Sequence, residues 1–104
     1  MKKGAIIKEI IEETLEVIKK NIIFKKIKKI ILYGSVVENK LSFRSDIDIA
    51  VRFSKISLKE SIVFRKKVLG KVSNKVDLQV YNFLPEKIRK EISSKGKILY
   101  EKKN

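Results

Sequence analysis

"YGSVVENKLSFRSDIDIAV", residues 33–51, is the stretch that decides how this chain is read. An apolar run closes on Gly34-Ser35, a polar segment follows, and a second apolar run opens with Asp46 and Asp48 one residue apart. The chain holds nine glutamates but only three aspartates. Aspartate is a poor strand former, so two of them in one strand call for a specific task. The third, Asp77, lies in "KVDLQVY" (75–81), another short apolar run.

Outward from this stretch the pattern alternates between two periods. On the N-terminal side, Ile7, Ile10, Ile11, Leu15, Ile18 and Ile22 recur at helical spacing with charges between them, predicting an amphipathic helix over about 4–20. "KIKKIILYG" predicts a strand over about 27–33, ended by Gly34. Ser35 is then placed to cap a short helical turn, and "ENKLSFRS" (38–45) reads as a loop. "DIDIAVRF" predicts a strand over 46–53, with Asp46, Asp48 and Ala50 on one face and Ile47, Ile49 and Val51 on the other.

Ser57 with Glu60 has capping-box spacing and opens a helix. Its predicted stripe is Leu58, Ile62, Val63, Val68 and Leu69, and Gly70 ends it. A third strand over 75–81 puts Asp77, Gln79 and Tyr81 on one side. Pro85 begins a last helix over about 85–94, and "KILYE" is a final extended piece. The order implies one α/β (α+β) domain over 1–104, a sheet of three or four strands flanked by helices. Strand direction is not contained in this pattern.

Composition narrows the chemistry. With no cysteine and no histidine, disulfides, thiolate or histidine metal sites, cysteine nucleophiles and the Ser-His-Asp triad are all excluded. What remains is carboxylates, hydroxyls, Lys/Arg and a hard metal ion. No run approaches the roughly 20 apolar residues of a membrane span. The N-terminal "MKKGAIIKEIIEE" lacks an uninterrupted apolar core, so a cytoplasmic location is expected. The net charge of +14, from 22 lysines and four arginines, would attract nucleic acid, an acidic protein or a polyphosphate. The lysines are dispersed and few aromatics stand among them, so direct nucleic-acid binding ranks below the other readings.

Asp46 and Asp48 on one strand face repel each other unless a cation lies between them. Mg²⁺ fits, since it takes oxygen ligands from one or two carboxylates together with substrate phosphates. If Asp77 faces the same way from a neighbouring strand, three carboxylates serve a site for in-line attack on phosphorus, with two Mg²⁺ ions. A glycine at a strand end followed by a helical turn exposes backbone N–H groups to a phosphate.

Gly34-Ser35, ten residues, then Asp46-x-Asp48 resembles the signature of the DNA polymerase β-like nucleotidyltransferase superfamily. "ILYGS", "SDIDIAV" and "VDLQVY" are similar to its minimal nucleotidyltransferase branch, over about residues 30–100. The resemblance implies a small mixed sheet. It also implies that Gly34 and Ser35 hold nucleotide phosphates, that Asp46 and Asp48 bind Mg²⁺, and that Asp77 completes the metal site and helps activate an acceptor hydroxyl. In many relatives a small residue, arginines and a second glycine follow the serine. Val36, Val37, Glu38 and Asn39 stand here instead, leaving Arg44, Arg52 or a loop lysine as sources of positive charge.

The resemblance further implies an activity and a partner. Minimal nucleotidyltransferases pair with HEPN-domain toxins as antitoxins, transferring AMP from ATP to a tyrosine of the toxin. The alternative is a catalytically weak or inactive binding antitoxin or scaffold that keeps the fold and neutralises its partner by contact.

Overall fold

The computed structural model describes residues 3–38 and 46–103. Among them, seven helices and strands follow one another: α1 (Lys3–Lys19), β1 (Ile27–Tyr33), β2 (Ile47–Phe53), α2 (Leu58–Leu69), β3 (Val76–Val80), α3 (Glu86–Lys95) and β4 (Lys97–Glu101). Short 3-10 turns precede β1 and follow β1 and β3. Each predicted helix and strand is found within one or two residues of its expected place. The predicted 38–45 loop lies, beyond Glu38, outside the described residues.

The strands form one mixed sheet in the order β3-β2-β1-β4. β1 pairs antiparallel with both β2 and β4, while β2 and β3 run parallel. Parallel neighbours need a crossover, and α2 supplies it. Helices cover both faces. On one, Ile18 of α1 and Phe64 and Val68 of α2 join Ile30, Leu32, Ile47, Ile49, Val51, Phe53 and Leu78 in the main core. On the other, Ile92 of α3 packs on Ile31 and Ala50, with Tyr33, Tyr81 and Leu84 around them. This accounts for the burial pattern of β2, in which Ala50 is as buried as its isoleucine neighbours. A small residue there leaves room for α3.

α2 is rotated from its predicted orientation. Ser61, Phe64 and Val68 face inward, whereas Leu58, Ile62 and Val63 are exposed, at 61%, 55% and 45%. Two contacts set the rotation. Phe64 meets Phe53 edge-on at 5.1 Å, a geometry that adds about 0.5–1.5 kcal/mol to simple burial. Arg65 Nε donates to the carbonyl of Leu78 at 2.8 Å. The Ser57–Glu60 capping box forms as expected.

Beyond β3 the chain is locked by Asn82. Its Oδ1 accepts from the Phe53 amide and its Nδ2 donates to the Phe53 carbonyl, both at 2.9 Å. The side chain thereby extends the β2–β3 ladder by one rung.

Candidate active site

Topology assembles the site at one edge of the sheet. Because β2 and β3 are parallel, they begin at the same edge, and the second residue of each comes into register: Asp48 pairs with Asp77. Neighbouring strands lie about 4.8 Å apart, so the two carboxylates stand side by side on the face opposite the main core. Because β1 is antiparallel to β2, it ends where β2 begins, and Tyr33 pairs with Asp48. Gly34 and Ser35 follow at once, in a 3-10 turn over Gly34–Val36.

Gly34 carries both conformational requirements of that turn. Its φ of 78° is left-handed, and a Cβ there would collide with the Asp48 carboxylate. The backbone therefore approaches Asp48 more closely than any other residue type permits. The Gly34 carbonyl accepts from the amides of Val37 (3.1 Å) and Glu38 (3.2 Å). Ser35 does not cap the turn as predicted: Tyr33 occupies the cap position and no side chain bonds there. With φ positive at Gly34, the turn closes through its backbone alone. The first amides of such a turn have no partner within it, which leaves them for an anion.

Electrostatics mark Asp48 as the focus. Its carboxyl is pushed up from the ordinary 3.8 to about 6, first by partial burial, then by the charges of Asp77 and Asp46. The Tyr33 hydroxyl is pushed up to about 12, by burial and then by the same Asp48 and Asp77. It keeps its proton at any physiological pH. Asp77 is tethered: Gln79, two residues on, donates from Nε2 to its Oδ1 at 3.0 Å. Asp46 lies just before β2 and is exposed. Thus Asp48, Asp77 and Gly34 are brought into one place, and Asp46 stands close enough to act on Asp48 through its charge.

Among the described residues, no three His, Cys, Asp or Glu side chains are close enough to cage a metal ion as they stand. The Asp48–Asp77 pair nevertheless suits Mg²⁺. It offers hard oxygen donors, and the charges acting on Asp48 are those of other carboxylates, a strain that a dication relieves.

A cleft of about 190 Å³ adjoins Gly34, walled by Tyr33, Val37, Ile92 and Lys95. Lys95 reaches Glu38 across it at 3.9 Å. A roomier groove of about 580 Å³, between α1 and β4, is lined by Ile7, Ile11, Leu32 and Leu99 on the main-core side, away from the aspartates. Arg52 lies at the far end of β2, over the Tyr81 ring at 5.4 Å, and not beside Gly34. Arg44 is outside the described residues. Tyr81 faces Ser93 (2.9 Å) and the second hydrophobic cluster rather than the aspartates.

Of the residues around the site, the sequence pattern does not single out Tyr33, whereas it reads Gln79 as either cleft wall or ordinary surface. Tyr33 carries a signal in hindsight, since period 2 turns it away from the core-facing Leu32 toward the Asp48 side. Gln79 shares the parity of Asp77, but a glutamine at such a position is equally at home on an ordinary surface.

Comparison with known proteins bears on the chain as a whole. The family model described as "Polymerase beta, Nucleotidyltransferase" matches residues 7–104. A protein of Methanocaldococcus jannaschii named a protein adenylyltransferase is 34% identical over 71 residues, which is 68% of this chain and 53% of that protein. The chain thus spans about half the length of that relative. The fold is similar to a chain in a toxin–antitoxin crystal structure with AMP-PNP, with a TM-score of 0.70 and 23% identity, covering 88% of this chain and 73% of that one. It is also similar to a chain in the complex of a tri-AMPylated Shewanella oneidensis HEPN toxin with its MNT antitoxin (TM-score 0.67, 21% identity, 92% and 73% covered). A third likeness is to a Sulfolobus solfataricus nucleotidyltransferase fold (TM-score 0.56, 20% identity, 90% and 76% covered). With its family model matched across nearly the whole length, and the glycine–serine turn set beside paired aspartates, the chain belongs to the polymerase β nucleotidyltransferase family.

Proposed function

We propose that this protein is a Mg²⁺-dependent, cytoplasmic adenylyltransferase that moves AMP from ATP to a hydroxyl, a tyrosine of a HEPN-domain toxin, and so acts as that toxin's antitoxin. One observation carries the reading: Asp48 and Asp77 stand in register on adjacent parallel strands, against a turn whose glycine alone leaves room for the Asp48 carboxylate. The relative named as a protein adenylyltransferase and the fold likeness to chains of HEPN complexes support the acceptor class and the partner.

In this reading the amides at Gly34–Val36 and the Ser35 hydroxyl hold the β- and γ-phosphates. Asp48, Asp46 and Asp77 are the residues that would hold Mg²⁺, which when bound supplies charge neutralisation for the phosphates. The acceptor oxygen forms its bond to the α-phosphorus as the bond to pyrophosphate breaks, and Asp77 takes the hydroxyl proton. Most of the catalysis is positioning, as is general for phosphoryl and nucleotidyl transfer. Tyr33, held protonated, packs beside the carboxylates without competing as a base.

The test is the intact mass of a HEPN-domain partner co-expressed with this protein or with its Asp48→Asn/Asp77→Asn variant. Adenylyl-sized additions, seen with the wild type only, are expected. An unmodified partner that co-purifies equally with both would refute transfer. A contact-only antitoxin would then stand, a reading favoured by Val36 and Val37, which follow Ser35, pack against the main core and offer a phosphate no positive charge.

A further inference from the structure

We infer that Gln79 is a positioning residue of this site, one that aims the Asp77 carboxylate toward Asp48 before any ion or nucleotide arrives. The inference rests on the nucleotidyltransferase reading above. Of the three aspartates, only Asp77 accepts a side-chain hydrogen bond among the described residues, from Gln79 Nε2 to Oδ1 at 3.0 Å. Strand periodicity places Gln79 on the same face as Asp77 and one rung further into the sheet, opposite Ala50. Ala50 is fully buried and small, so the glutamine side chain can lie along the sheet surface and reach back to residue 77.

The tether answers a physical need. Asp48 and Asp77 repel each other across the β2–β3 ladder, and a free carboxylate relieves that repulsion by turning its oxygens away. A carboxamide donor on Oδ1 fixes the rotation about the last bond of the side chain. Oδ2 is then the atom left for a cation or for an acceptor proton. Asp48 lacks such a donor among the described residues, which makes the pair unequal: Asp77 is pre-set, and Asp48 adapts. Partners of this kind typically contribute 10–100-fold to metal affinity.

Mn²⁺ binding to the full chain tests this, read by electron paramagnetic resonance, in wild type, Gln79→Leu, Gln79→Met and Asp48→Asn/Asp77→Asn. Leucine and methionine keep bulk but remove the donor, and methionine matches the unbranched shape. Both are expected to raise the Mn²⁺ Kd by about tenfold or more, with little change in melting temperature. The Mg²⁺ concentration for half-maximal transfer should rise in step, while the rate at saturating Mg²⁺ falls much less. Variants that both fold and bind Mn²⁺ as tightly as wild type would overturn the role of Gln79 alone. A wild type binding no more Mn²⁺ than the double aspartate variant would overturn the underlying site, and this inference with it.

Discussion

Replacing Asp48 by asparagine is expected to stabilise the fold while abolishing transfer. Asp48 is held half-buried beside Asp77 and Asp46, and its carboxyl sits at about 6 instead of 3.8. Since the folded-state value is the higher one, the folded protein binds the proton more tightly. The stabilisation this group contributes is fully present below about 3.8 and is lost as pH rises through about 6. At pH 7.5 the ionised group therefore weighs against folding. The rise corresponds to about 3 kcal/mol at about 1.36 kcal/mol per pH unit, and because water reaches part of the group, screening lowers the expected effect to about 1 kcal/mol. The asparagine side chain removes the charge and keeps the shape. For a domain of this size about 1 kcal/mol shifts the melting temperature by about 4–8 °C. Thermal unfolding of wild type and Asp48→Asn without metal, at pH 7.5 and at pH 4, measures this. The variant should melt higher at pH 7.5, the two should converge at pH 4, and added Mg²⁺ should raise only the wild type. An equal or lower melting temperature for the variant at pH 7.5 would refute the argument, as would a gain that persists at pH 4.

The same geometry fixes three further outcomes. Mn²⁺ affinity of the wild type should be flat above about pH 7 and fall as pH drops through about 6, because a proton on Asp48 competes with the ion; calorimetric titration at several pH values checks it. Gly34→Ala should cost about 1–2 kcal/mol from its left-handed backbone alone and should also displace Asp48, so transfer should fall even where the protein remains folded; urea melts and the mass assay separate the two effects. Phe64→Ala should cost about 3–5 kcal/mol and Ile62→Ala less than about 0.5 kcal/mol, as measured by chemical denaturation. Comparable losses would mean that α2 packs through its predicted stripe after all.

The candidate site was legible in the residue types and short spacings. An absence of cysteine and histidine left carboxylates, and alternate aspartates in an apolar strand after a glycine–serine pair marked where that candidate site lies. These are local signals: a strand shows its period within a few residues, and a capping box such as Ser57–Glu60 declares a helix start on its own. Which stripe of α2 faces inward was not local. Leu58, Ile62 and Val63 look as apolar as Phe64 and Val68, and only the ring of Phe53 and the carbonyl of Leu78, contributed by other strands, turn the helix. The same holds for the site itself. The sequence by itself determined that Asp46, Asp48 and Asp77 are available, and that Gly34 can take a turn closed to other residues. Only the tertiary structure decided that β2 and β3 run parallel in the register that puts Asp48 opposite Asp77, that Tyr33 joins them and that Gln79 ties one of them down. The physical reason is that register and strand direction are set by packing between segments far apart in the chain, where no single segment carries the information.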